Sequence, residues 1–124
     1  MRKFLLLIIL GLGFIYADCS DGDDFNEDGY HCGDLQVLQD IMDINECPII
    51  ESPIDFYPEL QWNEEGRLTF LFLMSGFFHD CMYLGAYLPD SIGNLFYLEY
   101  IRTSFIDLAV IPESIGNLIN LETL

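Results

Sequence analysis

Asp24, Asn26, Asp28 and Gly29 stand in the order D-x-N-x-D-G, inside the stretch DFNEDGYHCGD from Asp24 to Asp34. Oxygen-bearing side chains at alternate positions, followed by a glycine, are what a hard cation such as calcium asks of a binding loop. Asp24, Asn26 and Asp28 would supply oxygens at loop positions 1, 3 and 5, Tyr30 its carbonyl at position 7, and Gly29 the bend. Position 12, where a bidentate acid belongs, is Leu35; the acid arrives one place early, at Asp34. An EF-hand-like site therefore lacks its strongest ligand. A looser site on Asp21, Asp23, Asp24 and Asp28 would hold calcium only weakly, at about 10⁻⁴–10⁻³ M. Asp34 has a more economical use as the N-cap of the segment that follows.

Catalytic groups are scarce, and no enzyme is expected. His31 and His79 are the only imidazoles, and each lies close to a cysteine in sequence. Ser75-Gly76 is not set in a nucleophile-elbow pattern. Neither a phosphate loop nor a dinucleotide fingerprint occurs. Paired carboxylates are uninformative in a chain with 21 acids and a formal charge of −17. That charge repels phosphate backbones and anionic membrane surfaces, so nucleic acid is excluded as a partner and basic proteins or divalent ions are favoured.

The elements that must position these residues begin with an export signal. Arg2 and Lys3 precede the apolar run Phe4 to Tyr16, and Ala17 suits a cleavage point. The run is too short for a membrane span, so residues 1–17 read as a signal peptide, with an uncleaved anchor as the alternative. Cleavage leaves the 21 acids against Arg67 and Arg102, a net charge of −19. Cys19, Cys32, Cys47 and Cys81 form an even set in an exported chain, which predicts disulfides. Three pairings exist. Cys19–Cys32 with Cys47–Cys81 is preferred because the first closes a short local loop, contributing roughly 3 kcal/mol by the chain-entropy account.

Residues 18–33 read as an acidic leader. Residues 34–45 follow, with Leu35, Leu38, Ile41 and Met42 at helical spacing and Cys47-Pro48 ending the helix. Pro48, Pro53 and Pro58 make residues 48–61 an irregular connection. Asn63 to Gly66 is turn chemistry, with Gly66 suited to the left-handed position, and Leu68, Leu71 and Leu73 then run as L-x-x-L-x-L.

LPDSIGNLFYLEYI (88–101) and IPESIGNLINLETL (111–124) align without a gap at an offset of 23 residues. Ten of their fourteen positions are identical or both aliphatic, and SIGNL recurs letter for letter. A period of 20–29 residues carrying L-x-x-L-x-L marks a repeat architecture, in which each copy buries its aliphatic side chains against its neighbours. Inward positions of the second copy would be Leu98, Ile101, Thr103, Ile106, Leu108, Ile111, Ile115, Leu118 and Leu121.

These residues resemble leucine-rich repeats of the 23-residue LPxSIGNLxxLxxL type. The helix, cysteines and Trp62 ahead of the first strand resemble the N-terminal cap of exported plant-type repeat proteins. The resemblance implies an α/β fold: a leucine-rich-repeat solenoid of short parallel strands with helical or 3-10 turns on its convex side. Its parts would be a cap over 34–67 and repeats over 68–124, two complete and a third cut short at Leu124. The first repeat, 68–97, is seven residues longer than the second and carries its excess in GFFHDCMYLGAY. The family's ladder asparagine is replaced by Gly76 and Ile106. The expectation is a fragment of a longer repeat protein.

The resemblance further implies binding of a protein or peptide, one with basic groups given the acidity of the chain. The concave face would carry Phe70, Phe72, Ser75, Tyr100, Arg102, Ser104, Phe105 and Thr123. Aromatics with an arginine are the composition of an interaction surface. The alternative function is an extracellular calcium-binding module on the acidic 21–34 segment.

Overall fold

The computed structural model describes residues 19, 24–47, 54, 57, 59–74, 85–104 and 107–123. The expected signal peptide, Ser75, His79, Cys81, Phe105 and Ile106 lie outside these. The described chain forms helix α1 (Cys32–Ile44), strands β1 (Glu59–Trp62), β2 (Leu68–Met74) and β3 (Ala86–Tyr87), and 3-10 helix η1 (Asp90–Asn94). Strands β4 (Tyr100–Ser104) and β5 (Leu108–Val110) and 3-10 helix η2 (Glu113–Asn117) complete it.

The expected solenoid is not formed. Among the described residues the arrangement is one α-helix, a three-stranded sheet in the order β1-β2-β4 and a separate two-stranded sheet β3-β5. The first sheet is mixed, because β1 runs antiparallel to β2 while β4 runs parallel to it. The cause is local. The turn after Trp62 folds β1 back on β2, with Asn63 Oδ1 accepting from the amides of Glu65 and Arg67 at 2.9 and 3.0 Å. Gly66 closes that turn at φ +79°, as its residue type predicts. Residues 59–62 are thus a strand and not the end of an irregular connection.

The α1 stripe is buried as its spacing requires: Leu35, Leu38, Ile41 and Met42 are at most 1% exposed. Leu68, Leu71, Leu73, Leu88, Ile92, Leu95, Leu98 and Ile101 join them in one core. The uneven L-x-x-L-x-L spacing of β2 is reconciled by a bulge in β2 at Thr69, opposite Gln61 and Trp62. Gln61 pairs with Phe70 and Trp62 with Leu68, so Leu68 and Leu71 both turn inward.

Helix α1 starts two residues before the expected point. Its N-cap is His31, whose Nδ1 accepts from the Asp34 amide at 3.2 Å, and not Asp34. Asp34 is 1% exposed, with its carboxylate 3.5 Å from His31 Nδ1 and directed at the start of β2. Its carboxylate takes both Nε and an Nη of Arg67, at 3.0 and 3.1 Å, and the Leu68 amide at 2.9 Å. A buried carboxylate must be paired, and this two-pronged pair clamps the start of α1 to the start of β2. Arg67 also lies 4.6 Å over the Tyr97 ring.

At its other end α1 is fastened to β3. Asn45 accepts from the Tyr87 amide and donates to the Tyr87 carbonyl, both at 2.9 Å, standing in for a neighbouring strand. Ser91 of η1 donates to Asp40 at 2.7 Å. The helix thus covers η1, and η1 in turn covers η2.

The two motif copies have the same local form. Pro89 and Pro112 precede them in extended backbone at ψ 162° and 160°, and each SIGN segment makes a 3-10 turn. Ile111, expected inward, is 43% exposed although its counterpart Leu88 is 2% exposed. No described element lies against the far side of the second copy to cover it.

Candidate functional site

Parallel register places Phe70 beside Tyr100, Phe72 beside Arg102 and Met74 beside Ser104. Residues in register share a face of the sheet, so these six side chains stand together opposite Leu71, Leu73 and Ile101, which enter the core. Strand β1 adds Glu59 beside Phe72 and Gln61 beside Phe70. Thr123 bridges to Tyr100 on the far edge, where the Ile101 amide donates to its carbonyl at 3.0 Å. One row across the sheet therefore reads Glu59, Phe72, Arg102, and the next Gln61, Phe70, Tyr100, Thr123.

The expected binding residues Phe70, Phe72, Tyr100, Arg102, Ser104 and Thr123 are brought onto this one face. Ser75 and Phe105 lie outside the described residues. Met74, Glu59 and Gln61 belong to the face and were not expected there. Met74 follows Phe72 at strand spacing. Glu59 and Gln61 come from the unpredicted strand β1, whose sequence ELQW does alternate polar and apolar before the turn.

The chemistry of the face is aromatic, with both charges. Phe70 and Tyr100 rings lie 6.4 Å apart, and the Arg102 guanidinium sits 5.8 Å over the Phe72 ring. Phe70 and Phe72 are half-buried, so their rings are fixed by packing while one side meets solvent. Tyr100 is 38% exposed and its hydroxyl donates to Glu122 at 3.2 Å. That hydrogen bond, then the Glu122 charge, raises the Tyr100 phenol above its ordinary value. The surface can stack on planar or aliphatic groups, and Glu59 and Glu122 stand where a cation would meet them.

The acidic stretch is organised differently. Asn26 Oδ1 accepts from the amides of Asp28 and Tyr30 at 3.0 and 2.9 Å, an Asx turn that occupies the oxygen expected at the third calcium position. Asp34 is committed to Arg67 and the Leu68 amide, so it is not directed at the loop. Asp24 and Asp28 are exposed. The Tyr30 ring lies 4.4 Å from the Trp62 ring, tilted 42° to it. Among the described residues, no group of three His, Cys, Asp or Glu side chains is placed to hold a metal ion.

What the stretch does hold is a docked loop. The Cys32 amide donates to Asp24 O at 2.8 Å and the His31 amide to Gly66 O at 2.9 Å, fastening the loop onto the β1–β2 turn. A Cβ on Gly66 would run into the Gly29 carbonyl, so that turn position must stay glycine. Cys19 is bonded to Cys32, the expected short-loop pairing. Cys47 is also in a disulfide; its expected partner, Cys81, lies outside the described residues.

A disulfide is compatible with an extracellular protein. Among the described residues no helix is long and apolar enough to cross a membrane. No protein-family model matches the chain, and neither a curated protein nor a solved structure matches it.

Proposed function

We propose that this chain is an exported interaction module, related through its SIGNL motif to leucine-rich repeat proteins, that binds a peptide segment of a partner protein. The segment lies on the open face of the β1-β2-β4 sheet. The observation that carries this reading is the paired register of Phe70 with Tyr100 and Phe72 with Arg102 on a face that the core leaves open. Two half-buried phenylalanines beside an exposed tyrosine and arginine combine rigid apolar area with adaptable polar contact, the mixture of interaction hot spots. Glu59, Glu122 and the net charge of −17 favour a segment with lysine or arginine. No step of this role needs a bond to be made or broken.

The test is selection from a random displayed-peptide library against the intact, disulfide-bonded protein, followed by measurement of the enriched peptides on Tyr100→Ala/Arg102→Ala. Both side chains are exposed, so the variant keeps its fold. Enriched peptides should be basic and should bind the double variant at least about tenfold more weakly, the effect of truncating a hot-spot residue. Equal binding to the variant, or failure to enrich any peptide, rejects the sheet face as the site.

A further inference from the structure

The chain has 4 Lys and Arg residues: Arg2, Lys3, Arg67 and Arg102. The first two lie in the expected signal peptide. Arg67 is committed to the buried Asp34 carboxylate at 3.0 and 3.1 Å. Arg102 is exposed, and among the described residues no carboxylate pairs with it. Its contact is the Phe72 ring at 5.8 Å, which occupies none of the guanidinium N–H donors. Carboxylates stand on two sides of it. Glu59 is in the same row beyond Phe72, two strand spacings or about 10 Å away. Glu122 is held by the Tyr100 hydroxyl at 3.2 Å, and Tyr100 shares the face with Arg102 on β4. The face therefore runs negative, positive, negative on a chain that is otherwise acidic.

We propose that Arg102 sets the specificity of this face by receiving an acidic side chain of the bound segment, one that stands between two basic residues directed at Glu59 and Glu122. The inference rests on the sheet-face reading of the function and adds the order of charges in the ligand. A uniformly basic segment would set a like charge over Arg102 as it reached either carboxylate, and such a contact selects against binding. An Asp or Glu at that point replaces the repulsion with a charge-assisted pair that the planar guanidinium fork fits with two hydrogen bonds. Phe72 lies between Glu59 and Arg102, so the residues that join the two charges cross its ring, and about three residues of extended chain span the gap. The acid is internal, because a segment that ended over Arg102 could reach only one of the two carboxylates.

The probes are peptides enriched from the displayed library on the intact, disulfide-bonded protein, made with amidated C-termini and titrated by fluorescence anisotropy. Each should carry an Asp or Glu with a Lys or Arg about three residues away. Changing that acid to its amide should weaken binding to the parent at least about tenfold. The same change should alter binding to Arg102→Gln by less than about twofold, because the partner of the acid is already gone. Arg102 is exposed, so the melting curve of Arg102→Gln should match the parent. Arg102→Lys keeps the charge without the fork, and should keep the preference for the acid at reduced size. The outcomes separate the two readings. If the peptides bind Tyr100→Ala/Arg102→Ala as they bind the parent, or none is enriched, the sheet-face reading fails and this inference fails with it. If they need those side chains but contain no acid, or if the acid-to-amide change weakens binding equally on Arg102→Gln and the parent, the sheet face stands and the charge order is overturned. Binding that requires a free C-terminus would put a terminal carboxylate on Arg102 and overturns the internal acid.

Discussion

Ser91–Leu95 and Ser114–Leu118 are the same five residues in the same local conformation, yet they occupy different environments. In the first copy Ile92 and Leu95 are fully buried and Gly93 is pressed against Ser114. In the second, Ile115 is half-buried, Leu118 is 5% exposed and Gly116 faces open space. Proline and glycine placement sets the turn; neighbours decide what the turn contributes. The first copy lies between α1 and the second copy, while the second has a described neighbour on one side.

The largest test of that contrast is truncation of the isoleucines. Ile92→Ala should cost about 3 kcal/mol in urea unfolding, in the range for a buried aliphatic, and Ile115→Ala about 1 kcal/mol. Equal losses would mean that the second copy is covered in solution. Next come the glycines. Gly93→Ala should cost about 2 kcal/mol by overpacking, whereas Gly116→Ala should stay within about 0.5 kcal/mol of the parent in the same unfolding curves. Smaller still are the serines. Ser91 donates to a carboxylate and Ser114 to a carbonyl, so Ser91→Ala should cost about 1.5 kcal/mol and Ser114→Ala about 0.5 kcal/mol.

Alkaline pH sharpens the same contrast from the α1 side. Tyr57 donates to Leu38 O at 2.6 Å and so anchors the helix that covers the first copy. Burial first, then the Asp40 and Asp43 charges, push its phenol well above the usual value. The unfolded phenol ionises near pH ~10, so above that the folded state holds the proton more tightly than the unfolded one. The contribution is complete below about pH 10 and is lost as pH rises through the folded value. Tyr57→Phe should therefore show a shallower fall in melting temperature between neutral and strongly alkaline buffer than the parent. An identical slope would place the alkaline sensitivity elsewhere.

The helix, the Gly66 turn, the β2 leucines and the equivalence of the two SIGNL turns are legible from spacing alone, because each is a local rule. The Cys19–Cys32 pairing is legible for the same reason. What spacing does not carry is which long-range partner wins. Asp34 looks like a cap or a displaced ligand until Arg67, 33 residues away, is seen to claim it. His31 is a weak capping residue by type, and only the tertiary demand on Asp34 gives it the role. The solenoid expectation failed over 68–124, where the described strands fall into two separate small sheets, and in the expected cap three prolines hid β1, whose antiparallel pairing makes the first sheet mixed. Ile111 failed because a repeat pattern states which residues face a neighbour, and no described neighbour covers the second copy. On the candidate face, the parallel pairing of β2 with β4 could be expected from the repeat; the carboxylate of Glu59 could not.

The central claim is that the sheet face carries binding, and its location can be read directly by nuclear magnetic resonance. A library-selected peptide would be titrated into isotope-labelled protein while backbone amide shifts are followed. The account predicts the largest changes at Phe70, Phe72, Tyr100 and Arg102, with Glu59 and Thr123 at the margins. Changes centred on α1 or on the Asp24–Tyr30 loop, with the β2 and β4 amides unmoved, would contradict it.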